Sequence, residues 1–147
     1  MFPTFEKHRG LNMTGETIQI VEDEGLIALH LTEILEKAGY RVADPVYSGE
    51  MALRALETSP IPDLSLIDIG LAGSIDGIET ARQIRLRYSI PLIFVTAYAS
   101  ESMLARMLDV APEGVIIKPF DNTELLDLVR KAVGYDRPHK FLKGCHC

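Results

Sequence analysis

Two rhythms of hydrophobic and polar positions alternate along this chain. Short runs such as Thr17 to Val21, Leu64 to Ile67, Pro91 to Val95 and Gly114 to Ile117 are almost continuously apolar. That is the pattern of strands covered by helices on both faces. Between them lie longer stretches whose apolar residues recur every three or four positions. Ile27, Leu31, Ile34 and Ala38 predict one face of a helix over about 25–38, and Gly39 supplies its left-handed stop. Ile78, Ala81, Ile84 and Tyr88 predict the inward face of a helix over about 77–88. Ser100 can cap a helix carrying Met103, Leu104, Met107 and Leu108. Asp121 with Glu124 resembles a capping box for a last helix with Leu125, Leu128, Val129 and Ala132 inward, closed by Gly134. Arg41 to Val46 predicts a weaker strand, because Asp44 and Pro45 interrupt it. Ser48 caps a short helix through Leu56, and Ser59-Pro60-Ile61-Pro62 is a rigid connector.

Five strand–helix units in strict alternation predict an α/β fold with a parallel sheet and right-handed crossovers. The domain is expected over 17–134, with an irregular leader over 1–16 and a polar, flexible tail over 135–147. Pro3, Gly10 and Gly15 break any period in the leader, where Met13 offers an alternative start. The 147 residues suit one domain. A chain of this size buries roughly two-thirds of its unfolded surface, enough for a real core.

Composition narrows the function classes. A formal charge of −6 argues against a nucleic-acid surface. Apolar runs such as Leu92 to Val95 are too short to span a bilayer, and the leader lacks the apolar region of a secretory signal. Cys145 and Cys147 both lie in the last three residues, which is no disulfide framework. With His146 they form a poor metal site, and a frayed tail is the plainer reading. A reducing cytoplasm is the expected compartment. His30 and His139 read as exposed polar residues, and the methionines at 103 and 107 as core filler.

The chemistry sits at the strand ends. In a parallel sheet all strands finish at one edge, where ligands bind in open α/β folds. Here those ends deliver Glu22 and Asp23, then Asp68, then Thr96, then Lys118. Each has a bland reading alone: Asp68 as a turn aspartate, Glu22-Asp23-Glu24 as a helix N-terminal cluster, Thr96 as a strand end, Lys118 as a surface charge. Together they predict one rim. Three adjacent carboxylates need a proton or a cation between them, and Mg²⁺ accepts carboxylates, waters and phosphate oxygens. Such a metal, a free Asp and a Lys suit phosphoryl transfer.

The chain resembles the receiver domains of two-component response regulators over about residues 17–134. The resemblance rests on Ile20-Val21-Glu22-Asp23-Glu24, Leu66-Ile67-Asp68-Ile69, Asp76-Gly77-Ile78-Glu79, Val95-Thr96-Ala97 and Lys118-Pro119-Phe120, in order and with nearly the usual spacing. It implies a CheY-like, flavodoxin-like (βα)5 fold with strand order 2-1-3-4-5. It implies that Asp68 takes phosphate from a sensor histidine kinase or a phosphotransfer protein. Glu22, Asp23, Asp68 and the backbone carbonyl of Gly70 would hold Mg²⁺, Thr96 would turn toward the phosphate, and Lys118 would bind it. The Lys118–Pro119 bond is usually cis in the family. Partners and dimer mates usually meet the face of the fourth helix, fifth strand and fifth helix.

The chain also departs from the pattern. Val115 stands where the family often has an aromatic switch residue, and Tyr98 is the alternative cover for the site. Gly70 and Tyr98 occupy positions that modulate phosphate lifetime, and Gly70 has no side chain to orient a water, so slow hydrolysis is expected. The loop before Asp76 is one residue longer than usual, and the third helix reaches the fourth strand by a shorter segment. Two rivals remain. An aspartyl-phosphate phosphatase of the haloacid-dehalogenase type uses Asp-x-Asp, whereas here the triplet is Asp68-Ile69-Gly70, with no room for a cap domain. A phosphate-independent docking domain of the same fold is the second. With about 13 residues after the last helix, no output domain is expected, which suits a stand-alone receiver or a piece of a larger regulator.

Overall fold

A computed structural model describes residues 15–71, 73–97 and 100–134. The order is β1 (Thr17–Val21), α1 (Gly25–Lys37), β2 (Arg41–Val42), α2 (Gly49–Thr58), β3 (Leu64–Ile67), α3 (Gly77–Arg87), β4 (Leu92–Thr96), α4 (Glu101–Val110), β5 (Gly114–Ile117) and α5 (Asn122–Ala132). The five strands form one sheet in the order β2-β1-β3-β4-β5. Every pairing is parallel. This is the parallel α/β sheet that the alternation predicts, in the doubly wound, CheY-like strand order that the resemblance implies.

Side chains alternate across the strands, so the sheet feeds two cores. Ile18, Ile20, Leu66, Val95 and Ile116 pack against Leu31 and Leu35 of α1 and Leu125 and Val129 of α5. Val21, Ile67 and Phe94 pack against Ala52 and Leu56 of α2, Ile78 and Ile84 of α3, and Met107 of α4. Ser65, the polar member of β3, donates to Gln19 Oε1 on β1 at 2.7 Å, so neither buried polar group lacks a partner.

Helix starts follow the capping residues. The side chains of Ser48, Ser100 and Asp121 accept the backbone amides of Met51, Met103 and Glu124, as expected. Asp76 does the same for Glu79 at the start of α3. Each such cap stabilises its helix by about 1 kcal/mol. Gly39 and Gly134 have φ of 100° and 90°, the conformation predicted for helix stops. The Lys118–Pro119 bond is cis, as the resemblance implies.

Several expectations are corrected. β2 keeps only Arg41 and Val42, since Asp44 and Pro45 end the run, and Val46 returns as an isolated bridge to Val21. α2 runs to Thr58, two residues past Leu56. The buried face of α1 is Ala28, Leu31, Ile34 and Leu35; Ile27 is half-buried and Ala38 is an exposed cap. On α4 the buried residues are Met107 and Val110, while Leu104 and Leu108 face solvent. Tyr88 is half-buried against the second core. His30 is exposed, as read from the sequence. Tyr98, His139, Cys145, His146, Cys147, residues 1–14 of the leader and the tail lie outside the described residues. Glu16 adds its carbonyl to the sheet edge, accepting the Arg41 amide at 2.9 Å.

Candidate phosphoacceptor site

The strand register decides what meets at the rim. Val21 pairs with Ile67, and Ile67 with Phe94. The next residues along, Glu22 and Asp68, therefore leave neighbouring strands at the same level. Thr96 pairs with Ile117, so Lys118 follows one step later. The Lys118 amide donates to the Thr96 carbonyl at 2.7 Å, extending the ladder to the residue with the charge.

Side chains converge as predicted. Carboxylate oxygens of Glu22, Asp23 and Asp68 lie within 4.8 Å of one another. The Lys118 ammonium donates to Glu22 Oε1 at 3.1 Å and stands 3.7 Å from Asp68 Oδ2. Thr96 is buried at the end of β4. Gly70 follows two residues after Asp68, and its amide donates to Asp68 Oδ1 at 3.2 Å. That bond turns the carboxylate by a local Asx-type contact.

Glu22 carries the electrostatic signature. It is 1% exposed. Burial pushes its carboxyl up to about 7, and the Asp68 charge adds to the rise. The Glu24 amide, which donates to Glu22 Oε2 at 3.1 Å, and Lys118 offset part of that rise. A buried acid beside two others, with one ammonium to share, has negative charge in excess. Three oxygen donors on one rim with surplus negative charge fit a hard divalent cation such as Mg²⁺. Glu22, Asp23 and Asp68 would hold it, with the Gly70 carbonyl as the fourth expected donor.

Two further groups brace the site; both lie in the Asp76-Gly77-Ile78-Glu79 motif, but the sequence assigned neither a role. Gly77 opens α3 directly over β3: its amide donates to the Ile69 carbonyl at 3.0 Å. A Cβ at 77 would lie 2.0 Å from the Asp68 carbonyl oxygen. Only glycine permits this approach of helix to strand end. Asp76, besides capping α3, accepts Arg106 of α4 at 3.2 Å. Val115, at the position where an aromatic residue was a family expectation, is half-buried against the second core.

Comparison with known proteins agrees with this geometry. Residues 18–130 match the family described as the response regulator receiver domain. The transcriptional regulatory protein PdtaR of Mycobacterium tuberculosis is 29% identical over 127 residues, 86% of this chain and 61% of PdtaR. The chain thus spans under two-thirds of that relative's length. A CheY-like receiver domain protein from Methanospirillum hungatei superposes with a TM-score of 0.77 at 27% identity, covering 86% of this chain and 99% of that one. The receiver domain of a Pseudomonas aeruginosa sensor histidine kinase, solved with magnesium in its active-site cleft, gives 0.73 at 29% identity, covering 82% and 99%.

Proposed function

The chain belongs to the response-regulator receiver family, and we propose that Asp68 is its phosphoacceptor, loaded by a sensor histidine kinase or a phosphotransfer protein. The observation that carries this reading is the meeting of Glu22, Asp23 and Asp68 with Lys118 at one end of the sheet. An Asp68 oxygen attacks phosphorus as the P–N bond of a phosphohistidine breaks, and the imidazole leaves. Asp68 is oriented for this by the Gly70 amide. Glu22, Asp23, Asp68 and the Gly70 carbonyl would hold Mg²⁺, which would supply charge neutralisation for the transferring group. Lys118 exchanges its carboxylate partners for a phosphate oxygen, and the Thr96 hydroxyl donates to another. Positioning and charge do most of the work in such transfers.

The chain acts as a switch rather than an enzyme, working on no substrate except its own aspartyl phosphate. Phosphate adds roughly two negative charges at Asp68. That charge draws Thr96 and Lys118 inward and biases the α4-β5-α5 face, where Leu104, Leu108 and Ile117 are exposed. A downstream protein partner docks there, with a second copy of the chain as an alternative mate. Among the described residues no helix is long and apolar enough to cross a membrane. We place the domain in the cytoplasm, with no direct nucleic-acid contact.

The test is intact mass after acetyl phosphate and Mg²⁺. Wild type gains one phosphoryl group and Asp68→Asn gains none. An unchanged wild-type mass favours the phosphate-independent docking domain, and turnover of a free phosphate ester favours the phosphatase.

A further inference from the structure

We propose that Leu71 is a positioning residue for the candidate metal site: buried in the second core, it and Ile69 clamp the two peptide planes of Gly70, whose amide meets Asp68 and whose carbonyl is the fourth expected donor. The cation it serves rests on the functional reading above.

Gly70 has two polar atoms with a role and no side chain to hold them. It is exposed, and a Cβ there would meet nothing within 4 Å. Glycine also turns about its own φ and ψ more freely than any other residue. Its placement must therefore come from its neighbours. Each of its polar atoms lies in a planar peptide shared with one of them. The Gly70 N–H moves with Ile69, and the Gly70 carbonyl moves with the Leu71 amide. Ile69 is 2% exposed and Leu71 8%, and both belong to the second core with Val21, Val46 and Ile78. A residue open to solvent is thus flanked on both sides by residues sunk into the protein.

The two sides are held differently. On the amino side the Ile69 carbonyl also accepts the Gly77 amide at 3.0 Å. There α3 lies so close that a Cβ at 77 would come 2.0 Å from the Asp68 carbonyl oxygen. Backbone and side chain both fix that plane. On the carboxyl side the anchor is the buried Leu71 side chain. Removing it frees the Gly70–Leu71 plane first, so the carbonyl loses its direction. The bond from the Gly70 amide to Asp68 Oδ1, 3.2 Å long, then loosens behind it. A donor that must be ordered at the moment of binding costs affinity. Mg²⁺, which demands near-ideal octahedral geometry, is sensitive to that loss.

Five forms of the whole chain test this: wild type, Leu71→Ala, Leu71→Val, Leu71→Met and Leu56→Ala. Leu56, near the end of α2, is 4% exposed in the same core, so its truncation removes the same side chain away from Gly70. The readouts are the Gly70 amide order parameter by NMR without metal, the Mg²⁺ dissociation constant by calorimetry, and the urea midpoint. Wild-type Gly70 should read as rigid backbone, about 0.85, and Leu71→Ala should lower it to about 0.6. Mg²⁺ binding should weaken about tenfold in Leu71→Ala, the usual scale for a residue that orients a metal ligand. Leu71→Met nearly conserves volume and should stay within about twofold of wild type. Leu56→Ala should lower the urea midpoint as Leu71→Ala does, yet leave Gly70 and Mg²⁺ binding as in wild type. Leu71→Val should show about a threefold loss of Mg²⁺ affinity and carries the test if Leu71→Ala folds poorly. A wild-type order parameter at Gly70 in Leu71→Ala overturns the proposal. So do equal losses in Leu56→Ala, which would assign the effect to core stability. If wild type binds no Mg²⁺, the functional reading fails, and the Gly70 order parameter still decides the role of Leu71.

Discussion

The two ends of the sheet handle charge in opposite ways. At the amino ends of β4 and β5, Arg85 donates to the carbonyls of Val110, Ile90 and Ala111, and to Glu113. Glu113 also accepts the Leu92 amide at 2.7 Å. The cation there has three carbonyls and one carboxylate, and charges balance. At the carboxyl ends, Lys118 faces Glu22 and Asp68 with Asp23 close by. Charges there do not balance, and burial, with the Asp68 charge adding to it, holds Glu22 up at about 7. One end ties α4 to the sheet; the other holds a surplus of negative charge that fits a cation. Buried charge signals function when it is left incompletely paired, not simply when it is present.

That contrast predicts a separation of effects. Arg85→Ala should remove about 2 kcal/mol of stability and lower Tm by about 8 °C, because it strips partners from three carbonyls at once. Phosphorylation of the folded fraction should be unchanged; a loss of phosphate uptake at full folding would break the contrast.

Glu22→Gln should do the reverse. The folded-state value of Glu22 lies above its ordinary 4.5. The folded protein therefore holds that proton more tightly than the unfolded chain. This contribution is fully present below about pH 4.5 and is lost as pH rises to about 7. In EDTA, urea unfolding should show stability falling by about 1–2 kcal/mol across that window. Millimolar Mg²⁺ should cancel much of the fall, since a ligand of the folded state stabilises it. Glu22→Gln should flatten the slope, raise metal-free stability at pH 8 and weaken Mg²⁺ binding. A variant less stable than wild type at pH 8 would contradict the charge surplus.

The smallest effect on stability sharpens the comparison at Gly70. Gly70→Asn should alter stability by less than about 0.5 kcal/mol, because the added side chain meets open space. It should nevertheless shorten the phosphorylated lifetime several-fold by giving the attacking water a partner. Equal lifetimes, read by mass decay after desalting, would remove Gly70 from control of hydrolysis.

The sequence made the top rim readable and the bottom rim opaque for a physical reason. Strand ends follow from apolar periodicity, and parallel strands share a direction, so Glu22, Asp23, Asp68, Thr96 and Lys118 could be placed together without coordinates. Arg85 and Glu113 carry no such periodicity; their meeting depends on how α3 returns to the sheet. The contact of Glu50 with Ser74, whose amide it accepts at 3.0 Å, was invisible likewise, as a first-turn glutamate looks the same whether it faces water or a loop. Leu104 and Leu108 show the limit from the other side. Helical spacing marks an apolar face, and a face kept for a partner has the same spacing as one kept for the core. Only packing separates Met107, fully buried, from Leu108, 66% exposed. The weakness of β2 was legible because Asp44 and Pro45 object to a ladder on chemical grounds, but its end at Val42 was not.

The 96 positions that separate Lys118 from Glu22 carry a consequence for biosynthesis. A growing polypeptide emerges with its acids early and its ammonium late. Until β5 docks beside β4, the carboxylates stand together without their counter-charge, and the pocket is incomplete. The full set of acids and ammonium at this rim is therefore among the last features the molecule assembles as its chain is made.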